Sequence, residues 1–435
     1  MKKNIIRSGC FVILFILSLY FTNRVFSLKY NDGINGMTQF CKLPDNSVDV
    51  LILGSSHTFI DINTGTLWDE YGMASYILGG SVQPMWNTYY YLKEALKTQT
   101  PELIILEAFL TVHESDYSDD SRIIKNTYGM KWSKDKIDAI KVSAHEERWM
   151  EFLLDYTQYH NRYRELSKTD FLNNMGNAVF EDWKGFWCSM GTSQLEAPDV
   201  SRVNDRKSLN EKTEKYYRKT IELAQENDIP LLIVISPYLI SEDHQMIFNR
   251  ASDIADEYGV DFINYNLLSN DIGIDFTRDF ADIDHLNYRG NQKYTKALAE
   301  YLSSNYQISD RRGDKKYQTW QDHADYISSL IGNQQLSEAV EVPELMQRIQ
   351  NPDYVLFVSV DGNCSTADEN LEVVFSSLGI PQNGEKGIWC FDNPAREVWT
   401  SGAEEFEKHF YLEYNDIYVA RSYNSEMSDY INHII

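Results

Sequence analysis

Val48-Asp-Val-Leu-Ile-Leu-Gly-Ser-Ser-His57 is the stretch whose reading decides the fold. Its apolar run, Val50 to Leu53, is what a strand buried on both faces of a parallel sheet requires, and the run breaks at Gly54. Two serines and a histidine follow at the strand's C-terminal end. Ligands of open α/β sheets bind at that end, where a following helix offers unpaired backbone N–H groups to an anion. Ser56 would stand there as an exposed nucleophile with its oxyanion stabilised. Taken alone, Gly-Ser-Ser is an ordinary strand-to-loop turn, so the decision falls to the rest of the chain.

Downstream, strands and helices alternate. Asn63 to Gly72 reads as a helix with a glycine stop, and Ser75 to Pro84 as a second strand running into a Gly-rich loop. Trp86 to Thr98 is an amphipathic helix, and Glu102-Leu-Ile-Ile-Leu-Glu107 a third buried strand. The spacing is that of βαβ units and a parallel sheet. From about 111 to 205 the rhythm is lost. That stretch is too long for a plain loop and reads as a helical insertion that covers or shapes a site, with a helix-like segment over Trp132–Tyr156. Within it, Lys184 and the tryptophans of Trp183-Lys-Gly-Phe-Trp187 suit lid packing better than substrate contact. The alternation resumes with a helix from Glu211 to Asn227, a strand at Pro230–Pro237, a helix from Ser241 to Tyr258, and a strand at Val260–Asn264. A helix from Asn291 to Asn305 closes the series.

Lys29 to Asn46 is polar and reads as a connector, and the run Ser309 to Lys316 as a linker. Helix-like segments at 317–331 and 336–350 come next, and then a strong strand at Tyr354–Val360. A helix at Thr366–Leu378 and strands at 387–391 and 417–421 complete a small α/β domain. The expected organisation is therefore 1–28, 29–310 with its insertion, 311–334 as linker and helix, and 335–435 as an accessory domain.

Lys2, Lys3 and Arg7 precede an uncharged run from Ser8 to Asn23 that Arg24 closes. No A-x-A-like cleavage site follows, so the segment reads as an uncleaved single-pass signal-anchor, its basic end cytoplasmic and the remainder outside. The net charge of −25 over 435 residues excludes a nucleic-acid backbone as partner and does not suit a broad hold on anionic lipid. Five cysteines make no dense disulfide framework; Cys364 and Cys390 share the C-terminal region and could pair in an oxidising compartment. No C-x-x-C or His-rich spacing points to a metal site, and nothing calls for a cofactor.

A hydroxyl nucleophile needs a base, and the base needs an orienting carboxylate. Asp282-Ile-Asp-His285 supplies both, just ahead of the last helix. Paired with Gly-Ser-Ser after the first strand, this arrangement resembles the SGNH (GDSL-like) hydrolase superfamily over roughly 48–305. The resemblance implies a flavodoxin-like three-layer α/β domain with Ser56 as nucleophile, His285 as base and Asp282 as its orienter, leaving Asp284 a bystander. It also implies a backbone oxyanion donor in Leu78-Gly-Gly-Ser-Val-Gln-Pro, with Gly80, Ser81 and Val82 as candidates. Val82 stands where the family has its donor glycine. After the third strand, where the family has an asparagine, Leu106-Glu-Ala-Phe-Leu offers none in register.

Together with the anchor, these departures resemble the membrane-anchored branch, which includes DltD-like and polysaccharide O-acetylation proteins. That branch implies acyl transfer to, or ester cleavage from, a cell-envelope polysaccharide or teichoic-acid-like polymer, alongside a membrane-bound O-acyltransferase. The alternative is a non-catalytic glycan-binding or scaffold protein that assists such an acyltransferase. Tyr354-Val-Leu-Phe-Val-Ser-Val-Asp-Gly weakly resembles the interleukin-like EMT-inducer fold, which implies a glycan- or partner-binding role for the accessory domain.

Overall fold

The computed structural model describes residues 2–26, 32–153, 158–168, 170–171 and 183–339, and beyond these 344, 347–348, 355–360, 376, 387–392, 397–401, 405–411 and 416–422. The chain divides into two compact units, Met1–Ser328 and Ser329–Ile435. The first is an α/β unit around five parallel strands: β1 (Val50–Gly54), β2 (Ser75–Gly79), β3 (Leu103–Glu107), β4 (Leu231–Ile235) and β5 (Asp261–Asn264). Their order, 2-1-3-4-5, is that of a flavodoxin-like doubly wound sheet.

Central strands buried on both faces read as continuous apolar runs, and Val50, Leu51, Ile52 and Leu53 are each sealed from solvent. Leu51 and Leu53 join Tyr76, Leu78, Ile104, Leu106, Ile233 and Ile235 in one core. The apolar sides of the helices Met85–Ala95, Glu211–Glu226 and Glu242–Tyr258 complete it. On the opposite face lie the helices Ser56–Asp61, Thr64–Tyr71 and Tyr288–Asn305, joined where the Asn63 N–H donates to Thr295 Oγ1 at 2.9 Å. Strand pairing sets Gly54 beside Gly79 and Leu53 beside Leu106, so the chain leaves β1, β2 and β3 at one edge.

The N-terminal helix Lys2–Phe26 contains Ile6–Asn23, a stretch long and apolar enough to be a membrane span or a signal sequence. The polar connector expected over 29–46 contains a helix instead, Asp32–Phe40. Its Ile34, Met37 and Phe40 recur every three residues and are buried, Phe40 meets Tyr76 edge-on, and the Tyr76 hydroxyl donates to the Gly36 carbonyl at 2.9 Å. The three apolar positions were hidden among Asn, Asp and Gly. Ser309 to Lys316, expected to be a linker, is tied to the first unit: Arg311 pairs with Asp49 at 2.8 Å, and Ser309 Oγ donates to Glu102 at 2.7 Å.

Within 111–205 the described residues form short helices at Asp120–Lys125, Lys134–Ser143 and Trp149–Leu153, where one helix-like segment was expected over 132–156. In the second unit the described strands are antiparallel: Val355–Val360, Gly387–Asp392 and Glu397–Ser401 in one sheet, Glu405–Tyr411 and Asp416–Ser422 in a hairpin. Two of these five, Glu397–Ser401 and Glu405–Tyr411, were not expected from the sequence. The helix expected at 366–378 and the Cys364–Cys390 pairing lie outside the described residues.

Candidate active site

Ser56 is the first residue of the helix that follows β1, so its side chain leaves the carboxyl edge of the sheet on a short turn. The turn requires close packing. A Cβ on Gly79 would meet Thr58 Oγ1 at 2.5 Å and the Gly54 and Ser55 carbonyl oxygens at 3.1 Å, so the Ser56 turn lies flat on β2 only because Gly79 has none. Thr58 locks the turn by donating its hydroxyl to the Ser55 carbonyl at 2.6 Å.

His285 reaches the serine from the other end of the chain. Its Nε2 lies 2.8 Å from Ser56 Oγ, and its Nδ1 lies 3.0 and 3.1 Å from the two carboxylate oxygens of Asp282. A carboxylate on Nδ1 fixes the tautomer that leaves Nε2 able to accept the serine proton. Asp282 Oδ1 also accepts the backbone N–H groups of Asp284 at 2.8 Å and His285 at 2.9 Å. Partial burial pushes the Asp282 carboxyl up, but the Asp284 N–H and the His285 contact outweigh it and hold the group below the usual carboxylate range. Asp284 thus serves through its N–H. The structure brings Ser56, His285 and Asp282, 229 residues apart at the widest, into one hydrogen-bonded line.

Gly80, Ser81 and Val82 follow β2 at the same sheet edge. The Gln83 N–H donates to the Gly80 carbonyl at 3.0 Å, and buried Asn126 donates Nδ2 to the Ser81 carbonyl at 3.2 Å. Val82 has φ of 48°, a left-handed conformation that glycine adopts freely and a β-branched residue does not. The backbone here keeps a glycine-like path at the position where the resembled family has its glycine. Such strain persists where surrounding structure holds it, as at ligand sites.

Glu107 occupies the end of β3 where no asparagine was in register. It is fully buried, its Oε1 accepts the N–H groups of Phe109 at 3.3 Å and Ser236 at 3.4 Å, and Oε2 has no hydrogen-bond partner among the described residues. Burial pushes its carboxyl up to about 8 against the pull of those two N–H groups, so it is a neutral acid at neutral pH. A protonated carboxyl can donate a hydrogen bond, which an ionised one cannot.

Sequence reading also passed over His57. Its buried ring stacks on Phe109 at 3.9 Å, meets Tyr238 edge-on at 5.5 Å and lies 5.1 Å from the His285 ring. Burial, then the nearby His285 and His244, hold its basicity well below that of an ordinary histidine, which favours an uncharged ring beside His285. Only its place next to Ser56 in sequence could have flagged it.

Lys184 is buried under the first unit. Its ammonium lies 4.4 Å over the Trp320 ring and 3.1 Å from Thr319 Oγ1, and its carbonyl accepts the Ile77 N–H at the edge of β2. This is packing. Residues 187–193 then run past the helix Ser56–Asp61: the Trp187 N–H donates to the Phe59 carbonyl at 2.6 Å, and the Ser193 N–H to the Phe280 carbonyl at 2.8 Å. Asn287 joins both sides, donating Nδ2 to the Gly191 and Arg278 carbonyls at 3.0 and 2.8 Å. Trp187 remains exposed. Among the described residues no cluster of three or more His, Cys, Asp or Glu side chains could hold a metal ion.

No protein-family model matches the chain, and no curated protein matches it in sequence. Among solved structures, a provisionally assigned acylhydrolase from Bacteroides fragilis aligns at 10% identity, over 62% of this chain and 94% of that one, with a TM-score of 0.28. A likeness so faint carries no weight for activity. The functional reading rests on the geometry.

Proposed function

We propose that the protein is a membrane-anchored, extracytoplasmic serine acyl-transfer enzyme of the SGNH type that works on a cell-envelope polysaccharide. The observation that carries the reading is the line Asp282–His285–Ser56, with contacts of 3.0 and 2.8 Å. In the first half-reaction Ser56 Oγ attacks an acyl carbonyl while His285 Nε2 takes its proton, then returns it to the departing group. In the second, a glycan hydroxyl attacks the acyl-serine, His285 takes that proton, and Ser56 leaves with it. Asp282 stays ionised and stabilises the imidazolium. Backbone N–H groups at 80–82 are the candidate oxyanion donors.

A glycan acceptor bearing anionic groups is supported by a shallow cleft of about 420 Å³ against the helix that begins three residues after His285. Arg278, Arg289, Lys293 and Lys296 line it, with Asp275 and Asp279 the carboxylates there. Lys293 pairs with Asp279 at 2.6 Å and Lys296 with Glu70 at 2.9 Å, so four cations meet three carboxylates here, in a chain of net charge −25. The N-terminal apolar helix supports work at a membrane face, beside an acyltransferase that delivers the acyl group.

The test is a partition experiment. The full chain in detergent micelles is given an aryl acetate as donor, with and without an anionic or a neutral polysaccharide. Acetyl groups appearing on the anionic polymer, and absent with Ser56→Ala, are the expected result. Turnover to free acetate alone, unaffected by any glycan, would replace transferase with esterase. Neither product from a folded chain would favour the glycan-binding scaffold.

A further inference from the structure

Asp61 lies outside the Asp282–His285–Ser56 line, yet it joins the two segments that carry it. Ser56 opens the helix Ser56–Asp61 and Asp61 closes it, so one short rod has the nucleophile at its first residue and this carboxyl at its last. Asp61 is fully buried, and its Oδ1 accepts the backbone N–H of Leu286, the residue after the base, at 2.8 Å. The same end of the rod is fastened to the helix Tyr288–Asn305: Asn291 Nδ2 donates to the Ile60 carbonyl at 3.3 Å and Thr295 Oγ1 to the Asp61 carbonyl at 3.4 Å.

The His285 peptide is held on its other side as well. Its N–H donates to Asp282 Oδ1 at 2.9 Å, and its carbonyl accepts the Ala281 N–H at 2.9 Å. The turn is also tied outward, since the Leu239 N–H donates to the Ile283 carbonyl at 3.0 Å and Ser193 Oγ to the Ala281 carbonyl at 2.8 Å. The bond from Leu286 to Asp61 is the one that ties it through the backbone to the end of the helix that opens at Ser56.

We propose that Asp61 is a positioning residue for the triad, holding the turn that carries the base against the helix that carries the nucleophile and thereby setting the 2.8 Å contact between them. A slip of about 1 Å in such a contact costs roughly a hundredfold in rate, so a single buried hydrogen bond at this joint has leverage on the chemistry. Burial raises the Asp61 carboxyl well above the ordinary range against the Leu286 N–H, and Glu107, Asp282 and Asp284 add to the rise. The rise favours the uncharged form of the group, in which one oxygen accepts from Leu286; the other, Oδ2, has no partner among the described residues. Asparagine reproduces that arrangement, with an acceptor oxygen and a neutral donor in the same places. Leucine reproduces the volume alone.

This inference rests on the acyl-transfer reading, so its test includes a readout that needs no turnover. The full chain, labelled with 15N-histidine in detergent micelles, is compared with Asp61→Asn and Asp61→Leu; thermal melts establish that each is folded. The ring 15N resonances of His285 are compared by NMR at one pH, and kcat and KM are measured on an aryl acetate. Asp61→Asn should match the parent in both. Asp61→Leu should displace the His285 ring resonances and lower kcat by roughly 10- to 100-fold, with KM within about twofold. A folded Asp61→Leu with unchanged His285 resonances would overturn the proposal, as would an Asp61→Asn as impaired as Asp61→Leu. If the parent itself shows no turnover, the acyl-transfer reading fails, and the His285 resonances still decide the role of Asp61.

Discussion

At the scale of single residues, the account concentrates on a few buried or half-buried groups. Asp282→Asn should fold normally and lose roughly 10³- to 10⁴-fold in kcat, because the amide leaves His285 in the wrong tautomer. Steady-state rates on an aryl ester check this, and a loss below tenfold would remove Asp282 from the line. Glu107 gives a prediction about stability. Its ordinary value of 4.5 is pushed up to about 8 by burial. Between those values the unfolded chain has released a proton that the folded chain keeps. Its contribution to stability is therefore complete below about 4.5 and falls as pH rises towards 8, by up to about 1.4 kcal/mol per pH unit. Glu107→Gln keeps the acceptor for Phe109 and Ser236 and carries no charge, so its urea midpoint should fall less than the parent's between about pH 5 and about pH 8. Parallel pH dependences in the two proteins would contradict the neutral-acid assignment.

The residues of the Asp282–His285–Ser56 line were legible in the sequence because each stands beside a structural signal: Ser56 after an apolar strand, Asp282 and His285 ahead of a helix. Asp61, His57 and Asn126 were not. Their significance comes from what burial places next to them, the Leu286 N–H, the His285 ring and the Ser81 carbonyl, and no local pattern encodes those meetings. Glu107 was visible, but its protonation depends on burial that spacing does not report.

At the scale of elements, the sheet was readable because its central strands are apolar on both faces and bounded by Gly, Pro or Asn. Asp32–Phe40 was missed because a nine-residue helix rich in Asn and Gly has little intrinsic preference and forms on its packing partners. The helix Tyr288–Asn305 begins three residues before the Asn291 start expected from the sequence. Asn287 caps it, accepting the N–H groups of Arg289 at 2.9 Å and Gly290 at 3.3 Å while its own amide holds the Gly191 and Arg278 carbonyls. Asn287→Ala removes the cap and leaves buried carbonyls unpaired, so it should cost about 2–4 kcal/mol. Chemical denaturation measures this directly, and a loss under about 0.5 kcal/mol would show that the cap and the strap are held by other bonds.

At the scale of the whole molecule, the chain joins an apolar N-terminal helix to an acidic α/β unit and a second unit with antiparallel strands. The full chain should remain with membranes after an alkaline wash, and a chain starting at residue 29 should not. Release of both would mean the helix is removed or unused as an anchor. The second unit's strands were only partly foreseen, since antiparallel strands that alternate polar and apolar residues give weaker runs than buried parallel ones.

The central claim is that Ser56 is a nucleophile activated by His285. The most direct measurement treats the full chain and its His285→Ala variant with a fluorophosphonate, then locates the adduct by peptide mass spectrometry. The account predicts a single adduct on Ser56 in the parent, slowed by roughly 10³-fold or more when the histidine is removed. A folded parent that stays unlabelled, or labels equally well without His285, would contradict it.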